Sequence, residues 1–89
     1  RGVYRMGFSE ADMEGRRWLL ARLAEAGAEA WMDGAGNVHG RIGRADAPAV
    51  VVGSHTDTVP RAGMLDGALG VLCGLECLRA LRERRDALP

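Results

Sequence analysis

Residues 49–53 read Ala-Val-Val-Val-Gly, a continuously apolar run that polar residues follow at once. An apolar run this short, without polar alternation, is typical of a central β-strand that is covered on both faces. His55 stands just beyond the run, Asp57 comes two residues later, and Asp66 follows eleven residues after the His. Because α/β sheets bind ligands beyond the carboxyl ends of their strands, we expect these three side chains at a site.

His55, Asp57 and Asp66 are of the residue types from which hydrolytic metal sites are built. Neutral imidazole and carboxylate are usual protein ligands of zinc, and a second carboxylate can hold the other ring nitrogen of a liganding His. Taken singly, the same residues also suit a strand end, a turn and a helix start. Their spacing predicts half of a metal site, and we expect the other ligands outside these 89 residues.

Local signals predict a first helix followed by a β-hairpin. Ser9 and Asp12 have the spacing of a capping box, and the apolar periodicity that follows runs to a stop at Gly27. Segments 29–33 and 37–42 are short strand candidates on either side of a glycine-containing turn. These residues therefore predict a helix that leads into two antiparallel strands.

A second helix is expected from about Asp66 to Arg85, apolar nearly all round in its first half. The predicted order is thus helix, β-hairpin, buried strand, helix, which indicates an α/β layer structure. A strand at 49–53 and a helix that is apolar on several sides both need cover. We therefore expect an open apolar face that associates with a second copy or with a missing part of the protein.

Composition argues against several classes of function. Twelve basic and twelve acidic residues give a net charge of zero, so no basic excess favours nucleic acid or an anionic membrane surface. No apolar run approaches the roughly 20 residues of a membrane span. Cys73 and Cys77, four apart on the predicted helix, do not suit a disulfide, and we expect them in the core. Reduced cysteines favour a cytoplasmic protein.

Residues 53–59, Gly-Ser-His-Thr-Asp-Thr-Val, and 66–71, Asp-Gly-Ala-Leu-Gly-Val, resemble the first metal motif of the zinc-dependent aminoacylase and carboxypeptidase superfamily. Within it, the chain resembles bacterial N-carbamoyl-L-amino-acid hydrolases and allantoate amidohydrolases, and residues 33–38 and 40–42 match that group's N-terminal pattern. The resemblance implies an α/β fold, a partial three-layer sandwich of the zinc-aminopeptidase-like type. It also implies that residues 1–89 are the truncated N-terminal part of the catalytic domain, without the dimerisation domain.

The resemblance implies a role for each of the three side chains. His55 would be a terminal ligand of one metal, Asp66 would bridge two metals, and Asp57 would orient the His55 ring. The cofactors of the complete enzyme would be two zinc ions, or manganese or cobalt, held weakly or not at all by this chain. The family's Glu-Glu pair, which supplies the general base, and its two further His ligands have no counterpart in these 89 residues.

The resemblance predicts a complete enzyme that hydrolyses N-carbamoyl amino acids or allantoate-like ureido acids, and a chain that is inactive alone. An aminoacylase or a dipeptidase stays open, because the substrate pocket lies outside this chain. A different class also stays open, namely a non-catalytic truncated relic or a small α/β interaction module. The expected partners are a small ureido or amide substrate and a second copy of the chain, with no nucleic acid and no membrane.

Overall fold

The structure is a computed structural model that describes residues 4–84. In chain order, its elements are α1 (Glu10–Glu25), β1 (Glu29–Met32), β2 (Val38–Arg41) and α2 (Ala68–Glu83). The two strands form one antiparallel sheet. The small α/β arrangement and the order of helix, hairpin and second helix agree with the sequence-based prediction.

A capping arrangement close to the predicted one begins α1. The Ser9 hydroxyl accepts a hydrogen bond from the Asp12 N–H at 3.2 Å. In return, the Asp12 carboxylate accepts from the N–H of Phe8 at 2.8 Å, one residue before the cap. Both bonds satisfy N–H groups that have no partner inside a helix.

Glycine ends α1 as predicted. Gly27 has φ +87°, and its N–H donates to the Ala24 carbonyl, while the N–H of Ala28 donates to the carbonyl of Leu23. This pair of bonds is a Schellman motif, which needs a residue with positive φ after the helix. The chain therefore reverses at residue 27 and leads directly into β1.

The hairpin forms where it was predicted, with each strand one or two residues shorter. Trp31 lies opposite His39 in the antiparallel ladder. Asp33 starts the turn, and its Oδ1 accepts from the N–H groups of Ala35 and Asn37, each at 2.9 Å. An Asp that hydrogen-bonds backbone N–H groups ahead of it is a common turn former.

The hairpin packs on α1 through a glycine. Leu23 is buried against Gly40, where an added β-carbon would lie 2.6 Å from Leu23 Cδ2. The absent side chain therefore lets the helix and β2 approach closely. Across residues 4–84, the buried apolar side chains are Leu23, Ala62 and Leu75, so the core is small.

The prediction of a buried strand at residues 49–53 is wrong. Val50, Val51 and Val52 are 97%, 86% and 70% exposed, and no segment in the described part pairs with them. A strand exists only through hydrogen bonds to a neighbouring strand, and β1 and β2 are paired with each other. An apolar run that needs cover on both faces finds none within residues 4–84.

Helix α2 begins at Ala68, two residues after Asp66, which lies in the preceding turn. Gly67, with φ +78°, is the residue before the helix, and no side chain caps it. The prediction that Asp66 opens this helix is therefore wrong by two residues, because the positive φ of Gly67 separates them. The predicted helix end at Arg85 lies outside the described residues.

Cys73 and Cys77 are free and exposed, so the expectation of core cysteines is wrong. Leu75 is the buried residue of α2, and α2 is otherwise covered on few sides in this part of the protein. Apolar residues on all sides of a helix predict that it is buried on several sides, but they do not identify the residues that pack against it.

Candidate metal site

The structure brings His55, Asp57 and Asp66 together between the 49–53 run and α2. His55 Nε2 lies 3.7 Å from Asp66 Oδ1, and His55 Nδ1 lies 3.4 Å from Asp57 Oδ1. All three side chains are about half exposed, at 52%, 47% and 48%. The two carboxylates thus stand on opposite nitrogens of one imidazole, in an open position that solvent and small ligands can reach.

The main chain of Asp57 fixes the proton of the His55 ring. The shortest contact of Nδ1 is 2.8 Å to the Asp57 carbonyl oxygen, which can only accept a hydrogen bond. Nδ1 therefore carries the proton and donates it, and in the neutral ring the lone pair lies on Nε2. That lone pair faces Asp66. The Asp57 carboxylate, expected to orient the ring, lies farther from Nδ1, at 3.4 Å, than the carbonyl oxygen of the same residue.

Gly67, just before α2, and Gly70, in its first turn, allow the helix to lie directly against the segment that carries His55. A β-carbon on Gly67 would stand 2.5 Å from His55 Nδ1, and one on Gly70 would stand 2.7 Å from the Ser54 β-carbon. The Ser54 hydroxyl also donates to the Gly67 carbonyl at 2.8 Å. The Asp-Gly-x-x-Gly spacing therefore places the helix start, and Asp66 with it, beside the imidazole.

A buried carboxylate on α1 supports the same loop from the other side. Asp12 is fully buried and accepts from the Thr56 hydroxyl at 3.2 Å as well as from Arg16 and the Phe8 N–H. Burial acts to raise the pKa of Asp12, but the hydrogen bonds from Phe8, Arg16 and Thr56 and the Arg16 charge outweigh it, so its pKa is lowered. The sequence showed only the capping role of this residue.

Arg5 holds the two threonines that flank Asp57. Its backbone N–H donates to Thr58 Oγ1, and its carbonyl accepts from the Thr58 N–H, both at 2.7 Å. Its side-chain Nε donates to the Thr56 carbonyl at 2.6 Å. Sequence reasoning missed these contacts, because they join residues more than 50 positions apart and follow no local pattern.

One imidazole nitrogen and one carboxylate oxygen that face each other fit a divalent metal such as zinc. Within residues 4–84, however, no group of three His, Cys, Asp or Glu side chains is placed to hold a metal ion. The described part of the chain therefore brings together two side chains of the metal-binding type, His55 and Asp66. A structural zinc site normally takes four protein ligands.

The other histidine belongs to the hairpin. His39 Nε2 lies 2.8 Å from Asp33 Oδ2, and its ring stacks on Trp31 at a centroid distance of 5.0 Å. The hydrogen bond with His39 is the main cause that lowers the pKa of Asp33 well below its ordinary range. As predicted, His39 is a partly buried hairpin side chain.

A cleft of about 470 Å³ lies beside the candidate site rather than in it. Its walls come from the N-terminal segment, α1 and α2, with Arg5, Trp18 and Leu72 among the lining residues. Thr56 lines it too, whereas the three candidate site side chains do not. The three candidate site side chains therefore do not form part of the wall of this cleft.

Residues 37–88, more than half of the chain, match peptidase family M28. The chain belongs to this family. The M28 match includes both parts of the motif that contains His55 and Asp66. It agrees with the superfamily that the sequence motif indicates.

Relatives of this M28 chain agree with the narrower resemblance. It is 38% identical to an N-carbamoyl-L-amino acid amidohydrolase of Geobacillus stearothermophilus and 36% identical to an allantoate amidohydrolase of Bacillus subtilis. Each match covers 92% of this chain and 20% of the relative. The resemblance to N-carbamoyl-L-amino-acid hydrolases and allantoate amidohydrolases is therefore confirmed. The M28 chain spans about a fifth of the length of these relatives.

A solved structure shows the same local fold. The crystal structure of an amidase of the hydantoinase/carbamoylase family from Burkholderia phymatum is 54% identical and superposes with a TM-score of 0.84. The superposition covers 92% of this M28 chain and 20% of that structure. Within the described residues, no helix has the length and apolar character needed to cross a membrane.

Proposed function

We propose that this chain is the N-terminal part of the catalytic domain of a metal-dependent amidohydrolase that acts on N-carbamoyl amino acids or allantoate-like ureido acids. The family and the activities for which its relatives are named support the reaction class. The observation that carries the proposal is the position of the His55 ring, whose Nδ1 lies 2.8 Å from the Asp57 carbonyl oxygen while its Nε2 faces Asp66 Oδ1 at 3.7 Å. A neutral imidazole with its second nitrogen already engaged is the form in which His binds metal.

In this proposal, two metal ions would be held in part by His55, as a terminal ligand of one ion, and by Asp66, as a ligand shared by both. The ions are zinc, or manganese or cobalt, and Asp57 holds the His55 ring in its binding orientation. A bound divalent metal supplies Lewis-acid polarisation of the substrate carbonyl and lowers the pKa of water. The chain's own residues fix where that ion would sit: Asp57 keeps the proton on Nδ1, and Gly67 lets Asp66 approach the ring.

The general base and the remaining ligands would come from other parts of the complete enzyme. The complete domain would be a three-layer sandwich, in which further strands and helices surround α1, the hairpin and α2 and cover the exposed apolar run at 49–53. A second copy would cover what remains open, making the protein a homo-oligomer. The free thiols of Cys73 and Cys77 suit the reducing cytoplasm.

This assignment also predicts that the chain alone does not turn over substrate. A positioned general base contributes about 10²–10⁴-fold to such reactions, and the two donors here bring none. Incubation of the purified 89-residue chain with zinc and an N-carbamoyl amino acid should release no free amino acid. Metal-dependent release would contradict the inference that the site is partial.

The metal assignment is tested by nuclear magnetic resonance with cobalt(II) as a paramagnetic ion. Two histidines make the experiment simple, because the ring signals of His55 and His39 can be assigned with a single His39→Gln variant. Cobalt should perturb the His55 ring at low millimolar concentrations and leave the His39 ring unaffected. The Asp66→Asn variant should weaken the effect on His55.

A matched control comes from the second His–Asp pair. Asp33→Asn removes the carboxylate 2.8 Å from His39 and should leave the cobalt effect on His55 unchanged. Equal perturbation of both rings, or an Asp66→Asn variant that responds like the unmodified chain, would overturn the assignment.

A further inference from the structure

We propose that Arg5 and Asp12 are positioning residues for His55, and that they act through the backbone from Thr56 to Thr58. The proposal rests on the proposed function only in treating His55 as a metal ligand. Neither residue touches the imidazole. Both hold the segment whose carbonyl group determines which ring nitrogen keeps its proton.

The peptide group between Asp57 and Thr58 is oriented by Arg5. In a trans peptide the C=O and the N–H lie in one plane and point in opposite directions. The Thr58 N–H donates to the Arg5 carbonyl at 2.7 Å on one side. The Asp57 carbonyl must then point to the other side, where it accepts from His55 Nδ1 at 2.8 Å. Arg5 therefore aims the acceptor that fixes the ring.

Further hydrogen bonds hold the residues on either side of this peptide group, Thr56 and Thr58. On the preceding residue, the Thr56 carbonyl accepts from Arg5 Nε at 2.6 Å, and the Thr56 hydroxyl donates to Asp12 at 3.2 Å. On the following residue, Thr58 Oγ1 accepts from the Arg5 N–H, and Thr58 is buried. Four hydrogen bonds thus oppose rotation of the Asp57 carbonyl.

Asp12, which accepts the hydrogen bond from Thr56, is itself firmly held. Asp12 is fully buried and is itself held by Arg16 at 2.7 Å and by the Phe8 N–H, so its carboxylate cannot rotate freely. Charge-assisted hydrogen bonds of this kind are stronger than neutral ones. The half-exposed His55 loop is therefore tied, through Thr56, to a fully buried carboxylate with several hydrogen-bond partners.

The test uses threonine-to-valine variants, which remove a hydroxyl and keep a branched side chain. Thr56→Val removes the bond to Asp12, and Thr58→Val removes the acceptor of the Arg5 N–H. Thr56→Ser and Thr58→Ser keep the hydroxyls, so they should behave like the unmodified chain in both the His55 tautomer and the cobalt affinity. Ser9→Ala is the structural control, because it removes the helix cap on Asp12 without touching Thr56.

The main readout is the tautomer of His55 from its ring nitrogen shifts, measured without metal. We expect the unmodified chain, the serine variants and Ser9→Ala to keep the proton on Nδ1. The valine variants should shift His55 toward a mixture of both tautomers, while His39 stays unchanged. They should also weaken the apparent cobalt affinity at His55 about tenfold, as loss of a group that orients a ligand does.

Folded valine variants with an unchanged His55 tautomer and unchanged cobalt affinity would overturn the proposal. If these variants do not fold, Arg5→Met replaces them, with Arg17→Met on the exposed face of α1 as the control. Arg5→Met removes the bond to the Thr56 carbonyl and should shift the His55 tautomer, whereas an unshifted tautomer would contradict the proposal. An unmodified chain whose His55 ignores cobalt would contradict the metal assignment alone, because the tautomer is read without metal.

Discussion

The His55 imidazole lies so close to Gly67 that a β-carbon on residue 67 would stand 2.5 Å from its Nδ1 and Cε1, and nearer still to the His55 carbonyl oxygen. Gly67 also has φ +78°, a conformation that other residues rarely adopt. Because Gly67 has no side chain, the His55 ring can pack directly against the start of α2.

We predict that Gly67→Ala disrupts the site and destabilises the chain. The backbone strain alone should cost about 1–3 kcal/mol, and relief of the clash should displace the His55 ring. Urea unfolding and the cobalt effect on the His55 ring measure the two consequences. Gly63→Ala is the control from the same loop, since a β-carbon there meets nothing within 4 Å. Equal behaviour of the two variants would contradict this prediction.

We predict that Asp12 makes the chain sensitive to acid. Its pKa is lowered in the folded chain from the ordinary value of 3.8, so its ionised form favours folding. This contribution is complete above about pH 4, the pKa of the unfolded chain, and is lost as the pH falls toward the folded pKa. Asp12→Asn should be less stable than the unmodified chain at pH 6 and should lose less stability on acidification.

Urea midpoints between pH 3 and pH 6 measure this dependence. Asp46→Asn provides a control, because Asp46 pairs with Arg44 at 2.9 Å on the surface and its pKa is also lowered. Exposed ion pairs contribute little to stability. The urea midpoints of Asp46→Asn should therefore depend on pH as those of the unmodified chain do. The same result for Asp12→Asn would argue against a contribution of Asp12 to acid sensitivity.

We predict that Gly40→Ala loosens the packing of the hairpin on α1. Its β-carbon would lie 2.6 Å from Cδ2 and 3.2 Å from Cγ of the buried Leu23, so the leucine or the strand must shift. Overpacking of this kind costs about 1–3 kcal/mol. Gly34→Ala, in the turn with open space around it, should change the unfolding free energy much less. A Gly40→Ala variant of unchanged stability would show that the interface tolerates the extra methyl.

We predict that the exposed valines at 50–52 drive self-association. Three neighbouring apolar side chains with exposures of 70% or more form a surface that soluble monomers rarely present. Val51→Lys should lower the sedimentation-average mass at high protein concentration. Ala35→Lys adds the same charge in the exposed hairpin turn and should leave the mass unchanged. A monomeric unmodified chain would contradict the prediction.

The elements that depend on neighbouring residues were predictable from local sequence patterns. Ser9, Gly27 and the hairpin turn at Asp33 each act through residues within five positions, so their patterns were sufficient to place α1, β1 and β2. The His55–Asp66 pair was also within reach, because a short loop and a glycine join the two residues.

Features that depend on contacts with distant parts of the protein were not predicted correctly. The run at 49–53 has the composition of a covered strand, but composition cannot tell whether a neighbouring strand is present. For the same reason Cys73 and Cys77 were expected in a core that the described residues do not build around them. The contact from Asp12 to Thr56 spans 44 positions and leaves no periodic trace in the sequence.

The pairing of Arg5 with Thr58 bears on the order of events during folding. These residues are 53 positions apart, and the entropy of closing so long a loop must be overcome before the contact can form. Contacts of such separation form slowly compared with helices and hairpins. We therefore expect the Asp57 carbonyl, which holds the His55 ring, to reach its position after α1 and the hairpin have formed. Metal capture by His55 and Asp66 would then follow folding of this segment rather than nucleate it.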